Sequence, residues 1–246
     1  MKHYLNLLII ISLAILFTSC SNNQISSEIL QSNSATTISR DYKDITKLLI
    51  RYKKILDKRN PNLYNKNLAY NIISDIKNNQ NTIHLLRDDS YKKYLEKAFD
   101  ENTANRSDFL ILGIYKMLFN TYNIQDGHQI TALGYDAETF KKTYYTLKVL
   151  RWKIRNAKNS QNRFIYATWQ LNWQLEFNKN YNNISINNLK NLPSLKKQKE
   201  SIMDHNNFNF EIILSLIIDR VKDSLNAMGE EPLNLSITAM KAIIFL

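Results

Sequence analysis

Residues 109–122 (FLILGIYKMLFNTY) decide the fold, because they are apolar on almost every side of a helix. A helix with one polar face lies on a surface, whereas a helix that is apolar all round must be surrounded by other elements. The stretch is also too short to span a membrane, which takes about 20 apolar residues. The sequence therefore predicts a buried central helix, and Gly113 within it predicts close packing by a neighbouring element.

The segments on both sides of this stretch have the three- and four-residue periodicity of amphipathic helices. The first such segment is residues 42–56, and its opposite side carries cations: Lys43, Lys47, Arg51, Lys54 and Lys58. The same periodicity over residues 140–154 and 210–225 predicts two more long helices, the first capped by Asp136. Ser107 is predicted to cap the central helix. Residues 164–177 (FIYATWQLNWQLEF) are interpreted as a helix, although their first half alternates like a strand.

The composition favours a single helical domain. Only four glycines and three prolines occur in 246 residues, which argues against a turn-rich sandwich or barrel. No repeat of fixed period is visible. The prediction is therefore an all-α fold of about eight helices in one domain over residues 41–246.

The first residues have the pattern of a cleaved targeting signal. Lys2 is followed by the apolar residues 5–17 (LNLLIIISLAILF), too few to span a membrane comfortably. Residues 16–20 (LFTSC) then resemble the lipobox of bacterial lipoproteins, with Phe17 where leucine is more usual. This resemblance implies that residues 1–19 are removed and that Cys20 carries lipid. The other interpretation is an ordinary secretory signal followed by an incidental cysteine.

Residues 20–40 are rich in Ser, Asn and Thr and are predicted to form a flexible tether behind the lipid. Ser21 follows the cysteine where aspartate would signal inner-membrane retention, so the resemblance implies the outer membrane, facing the periplasm. Residues 168–174 (TWQLNWQ), 207–211 (NFNFE) and 229–233 (GEEPL) also resemble Gram-negative lipoproteins of unknown function. That resemblance brings neither an activity nor a functional residue.

The charge points to an anionic partner. The formal net charge is +11, and the predicted signal accounts for only one of the cations. In the cytosol such a charge would suggest nucleic acid. Beyond the inner membrane the abundant polyanions are lipopolysaccharide, anionic lipid headgroups and cell-wall polymers, so no nucleic-acid partner is expected.

The helix after Asp136 is the candidate for binding that partner. It interleaves cations with Tyr144, Tyr145 and Trp152, and the candidate anion-binding residues are Lys141, Lys148, Arg151 and Arg155. Cations beside aromatic rings suit phosphate or sugar-phosphate ligands, because the cations neutralise charge while the rings cover the ligand. The alternative is a solvated helix face above a core stripe.

Catalytic candidates are few. His128 follows Asp126 in an irregular segment and could act as a general acid or base, or the pair could simply form a turn. Glu176 lies near Trp169 and Trp173, which could grip a glycan strand or belong to the core. A lytic enzyme usually needs two carboxylates.

No nucleophile motif or zinc-type histidine spacing is present, and Cys20 is the only cysteine. Neither a metal nor a cofactor is expected. The sequence thus predicts a membrane-anchored envelope lipoprotein with a non-enzymatic role, which binds a partner protein or an anionic glycolipid. The alternative is an envelope hydrolase or lytic enzyme.

Overall fold

The computed structural model describes residues 32–180, 185–203, 208–236 and 238–241. Within these ranges the chain forms eight α-helices: α1 (Asn33–Arg59), α2 (Lys66–Asn78), α3 (Tyr91–Ala98), α4 (Arg106–Thr121), α5 (Ala137–Asn156), α6 (Asn172–Lys179), α7 (Pro193–Lys196) and α8 (Asn209–Ala227). Residues 238–241 are also helical, and the described ranges contain no strand, so the all-α prediction is confirmed. Cys20, residues 1–19 and most of the predicted tether lie outside these ranges.

Helix α4 is the centre of the fold. Thirteen of its sixteen residues are buried, and α1, α2, α3 and α5 all pack against it. Helix α8 lies between α1 and α5 and completes one continuous apolar core. No helix in the described part of the chain is long and apolar enough to cross a membrane.

Gly113 is the point of closest approach between α4 and α3. A Cβ atom added there would lie 2.7 Å from Leu95 Cδ2 and 3.2 Å from the backbone nitrogen of Leu95. Since real Cβ contacts are almost never shorter than 3.0 Å, glycine is what allows α3 to pack this closely. The predicted close packing at Gly113 is confirmed.

Helix α1 begins earlier than predicted. The Ser32 side chain accepts a hydrogen bond from the Ala35 backbone N–H and caps the helix, so residues 33–40 are helical and do not belong to a tether. Ala35 and Ile38 are fully buried and extend the apolar stripe that continues at Tyr42. The helical periodicity of this segment is hard to recognise, because the segment is rich in Ser and Thr and because alanine occupies the buried position 35, where a larger apolar residue would be easier to detect.

Residues 164–177 are only partly helical, which corrects the prediction. Helix α6 begins at Asn172, and the preceding segment is irregular, with an isolated bridge between Lys158 and Phe164. Tertiary contacts hold it in this form. The Asn60 side chain accepts from the Ala167 N–H and donates to the Ala167 carbonyl, and Tyr166 donates to the carbonyls of Ala98 and Arg106.

Ser107 does not cap α4, because the helix starts one residue before it, with Asn105 at the N-cap position. Its hydroxyl is buried and bonds the Leu63 carbonyl at 2.7 Å and Asp57 at 3.2 Å. Ser107 therefore belongs to a buried polar cluster that joins α1 to the start of α4.

Lys53 is the cation of this cluster, and its side chain is completely buried on the inner side of α1. Its Nζ atom lies 2.6 Å from a carboxylate oxygen of Asp57 and 2.6 Å from one of Asp108. Asp108 also accepts the Asn65 backbone N–H at 2.7 Å. Burial raises the pKa of both carboxyl groups, although Lys53 acts to lower it. The cluster therefore holds α1, α4 and the loop before α2 in position relative to one another.

A second buried lysine links α4 to the loop that follows α2. Lys116 Nζ lies 2.8 Å from Asp89 and 2.7 Å from the side-chain oxygen of Asn81. Asp89 also accepts from the Tyr94 hydroxyl and contacts His84 Nδ1 at 2.9 Å. Burial acts to raise the pKa of Asp89, but the bonds from Lys116 and Tyr94 outweigh it and the pKa is lowered.

Asp41 links α1 to α8. Its carboxylate is buried, accepts the Ser224 hydroxyl at 3.1 Å and lies 4.0 Å from Arg220. Tyr122, directly after α4, contacts the same Ser224 hydroxyl at 3.0 Å. Burial raises the pKa of Asp41 to about 6, so this carboxyl keeps its proton to a higher pH than an exposed aspartate would.

Gly113→Ala should destabilise the protein, even though alanine is the better helix former by about 1 kcal/mol. Overpacking typically costs about 1–3 kcal/mol, and the backbone nitrogen of Leu95 restricts relief of the clash. Urea unfolding of Gly113→Ala, Leu95→Ala and the double variant measures this. The double variant should lose less free energy of unfolding than the two single variants lose together. A Gly113→Ala protein as stable as the parent would contradict close packing as the reason for this glycine.

Lys53→Met should lower the free energy of unfolding by about 3–5 kcal/mol at neutral pH, because it leaves two buried carboxylates without their cation. Lys54→Met, at the exposed neighbouring position, is the control and should change it by less than about 0.5 kcal/mol.

The deficit of Lys53→Met should shrink as the pH is lowered from 7 towards about 4, the unfolded pKa of aspartate. Lys53 acts to lower the pKa of both Asp57 and Asp108, so its removal raises their folded-state pKa values further above the unfolded value. The folded variant then binds protons more readily than the folded parent, and lowering the pH stabilises the variant more than the parent. Denaturant titrations at several pH values measure this trend. A deficit that does not depend on pH would argue against repulsion between the two carboxylates.

Candidate anion-binding face

Helix α5 carries the cations on the outside of the fold. Asp136 caps it as predicted, its side chain accepting the Glu138 backbone N–H at 3.0 Å. Phe140, Leu147 and Ile154 are buried on its inner side. The opposite side of α5 therefore faces outward, and the structure separates the four predicted anion-binding residues into three different environments.

Lys141 is already paired with carboxylates. Its Nζ atom lies 2.9 Å from Glu138 and 2.9 Å from Glu230, which follows α8. The bonds to Glu230 and Glu138 raise the pKa of Lys141. A cleft of about 660 Å³ lies beside it, with Glu138 and Glu231 in its wall. Because these carboxylates offset the charge of Lys141, this end of α5 is a poor site for an anion.

Lys148 and Arg151 form the second environment, where α5 crosses α8. Arg151 donates to the Ser215 hydroxyl of α8 at 2.8 Å, and Lys148 lies over the Tyr144 ring at 5.2 Å. Lys222 of α8 is close enough to act electrostatically on Lys148. Burial, Arg151 and Lys222 together lower the pKa of Lys148. Among the described residues, no carboxylate lies within 4.0 Å of any of these three cations. We call Lys148, Arg151 and Lys222 the cationic cluster.

Arg155 forms the third environment, one turn further along α5. Its guanidinium lies 4.5 Å from the centre of the Trp169 ring, and the Trp169 indole N–H donates to the Arg155 carbonyl at 3.1 Å. Lys158 lies over the Phe164 ring at 5.1 Å, and Phe164 in turn contacts Trp169 edge to face. Cation–aromatic pairs thus continue the positive surface beyond the end of the helix.

Lys222 and Ser215 were not among the predicted site residues. The periodicity of α8 predicts that both lie away from its buried stripe, but nothing in the sequence indicates that α5 crosses α8 at this point. From the sequence, Trp169 could belong either to the core or to a glycan-binding site. The structure places it half-buried against Arg155 and Phe164.

The structure gives each catalytic candidate a different environment. Asp126 is exposed on the 3-10 turn Ile124–Asp126. His128 Nδ1 lies 3.5 Å from the Tyr135 hydroxyl, and its ring contacts the Tyr42 ring at 5.8 Å. Glu176 accepts both the backbone N–H and the hydroxyl of Ser194. Glu176 is thus bonded to the start of α7, whereas His128 packs against α1.

The described ranges contain no group of three or more His, Cys, Asp or Glu side chains that could hold a metal ion. No protein-family model, curated protein or solved structure shows a significant match to this chain. The cations of α5 and α8 and the N-terminal sequence are the features of this chain that bear on its function.

Proposed function

We propose that this protein is held in a bacterial cell envelope, at the outer membrane facing the periplasm, by lipid on Cys20, and that it has a non-enzymatic role. Its folded domain binds an anionic glycolipid through the cationic cluster. The observation that supports this most directly is that Lys148 and Arg151 lie where α5 crosses α8, with Lys222 of α8 close enough to act electrostatically on Lys148 and no described carboxylate in ion-pair contact with any of the three.

Such an arrangement is unfavourable for folding alone. Like charges near one another repel, and after burial Arg151 and Lys222 both act to lower the pKa of Lys148. Elsewhere on the same helix a cation is compensated, since Lys141 is paired with Glu138 and Glu230. Charges left uncompensated at a helix crossing are what a site for phosphate groups requires.

The anchor gives the first prediction. Cys20→Ala should abolish palmitate labelling and move the protein from the membrane fraction to the soluble fraction, because two or more acyl chains are needed for stable anchoring. Metabolic labelling and fractionation of parent and variant measure both effects. If the variant keeps its membrane partition and its label, lipid is not attached at Cys20.

The cationic cluster gives the second prediction. In the chain lacking residues 1–20, Lys148→Glu/Arg151→Glu should lower co-sedimentation with lipopolysaccharide at least tenfold. The matched control is Lys77→Glu/Lys92→Glu, which changes the net charge equally at exposed positions on α2 and α3. Lys77 and Lys92 are exposed and Lys148 and Arg151 half-buried, so the cluster variant loses more, including the bond to Ser215, and circular dichroism must show that both double variants are folded before their binding is compared.

Parent binding should also weaken steeply as salt rises, because the Debye length is about 10 Å at 0.1 M and about 3 Å at 1 M. Equal loss in the cluster variant and in the control would mean that net charge alone attracts the ligand. Unchanged binding in both would leave the cluster as a solvated surface. Binding to a purified envelope protein instead of the glycolipid would favour the partner-protein alternative.

A further inference from the structure

The segment that follows α8 is held against the first half of α5 at two points. Glu230 pairs with Lys141 at 2.9 Å, and the Tyr145 hydroxyl donates to the Leu233 carbonyl at 3.3 Å. The cleft of about 660 Å³ beside Lys141 has residues of α5 in one wall and Glu231 and Leu233 of this segment in the other. Because these two bonds tie its walls together, the cleft is a built part of the fold.

The walls of the cleft carry one cation and one carboxylate that have no ion-pair partner in the described part of the chain. The cation is Lys142 of α5, which is half-buried, and the carboxylate is Glu231, which is exposed. Lys141 differs from both, because it is already paired with Glu138 and Glu230. Lys142 and Glu231 are therefore available to the opposite charges of a ligand.

The cleft also offers apolar surface. Leu233 lies in its wall and is 68% exposed, and the ring of Tyr145 lies in the opposite wall. A single exposed leucine needs no explanation by itself. Here it lines a cleft whose volume falls within the range of about 300–1,000 Å³ that is typical of small-molecule sites. Such sites combine apolar walls with a few polar groups that fix the orientation of the ligand.

We infer that this cleft binds a short zwitterionic peptide, with the ammonium group of the peptide at Glu231, its carboxylate at Lys142 and an apolar side chain against Leu233. A ligand with negative charge alone would be repelled by Glu231, and a ligand with positive charge alone would be repelled by Lys142. A short peptide with both termini free carries one charge of each sign at its two ends. A long polypeptide, by contrast, brings only one of its charged ends to a cleft of this size.

This site is separate from the one in the proposed function. It requires neither lipid on Cys20 nor the cationic cluster, and its ligand differs in charge, because a glycolipid that carries phosphate groups is an anion. The pairing of Lys141 with Glu138 and Glu230, which makes this end of α5 unsuitable for an anion, leaves Lys142 as the cation that can receive a single carboxylate. Each inference can therefore fail without the other.

The test is calorimetric titration of the full chain, in detergent micelles, with the dipeptide alanyl-leucine. The parent should bind it with a dissociation constant of about 1 mM or tighter. Acetyl-alanyl-leucine lacks the ammonium group and alanyl-leucine amide lacks the carboxylate, so each should bind the parent at least tenfold more weakly. Equal binding of all three peptides would overturn the inference, because the two charges would then have no part. Absence of binding of alanyl-leucine at about 10 mM would also overturn it.

Variants assign each charge of the peptide to its residue. Lys142→Gln should weaken binding of alanyl-leucine at least tenfold and should no longer distinguish it from its amide, whereas Glu231→Gln should no longer distinguish it from its acetylated form. Lys142→Arg keeps the charge and should retain binding. The matched control is Lys92→Gln/Asp219→Asn, which removes one exposed cation and one exposed carboxylate outside the cleft and should bind as the parent does. Equal weakening in the control and in the cleft variants would overturn the inference, because the position of the charges would then have no influence.

Discussion

The burial of α4 on nearly every side is the constraint on which the rest of the structure depends. A helix in that position removes its polar groups from water, so each of them must find a partner within the protein. Lys116 and Asp108 lie on this helix, and each bonds an oppositely charged group that another segment supplies. The loop after α2 and the second half of α1 are thereby fixed relative to α4. Gly113 sets how closely α3 can pack on it.

With α4 enclosed, the long helices α1, α8 and α5 each keep one side towards solvent, and α1 and α5 carry an excess of cations. The cations fall into two groups, according to whether a carboxylate pairs with them. Lys53, Lys116 and Lys141 are matched with carboxylates, and these pairs support the fold. Lys148, Arg151 and Lys222 are not so matched within the described chain, and the fold gains nothing from their proximity. This difference between matched and unmatched cations carries more functional information than the overall net charge.

The sequence predicts the elements better than their contacts. The helix class, the buried stretch of α4, the close approach at Gly113 and the cap at Asp136 all follow from periodicity and local chemistry, and the structure confirms them. The start of α1 was placed too late because its first apolar side chain is only Ala35. The helix prediction for residues 164–171 is wrong because Asn60, more than a hundred residues away, bonds both backbone groups of Ala167 and holds the segment in an irregular form. The role of Lys222 could not be predicted either, because its proximity to Lys148 depends on how two helices that are distant in sequence cross.

The contact between α1 and α8 joins the two ends of the folded chain, and Asp41 and Ser224 are 183 residues apart in sequence. Contacts of such long range are the last to become available to a chain that is made or moved across a membrane from its N-terminus. Until α8 emerges, the apolar side of α1 and Tyr122 have no cover from it. The order of synthesis thus leaves the nascent chain with an incomplete core until its eighth helix has been made.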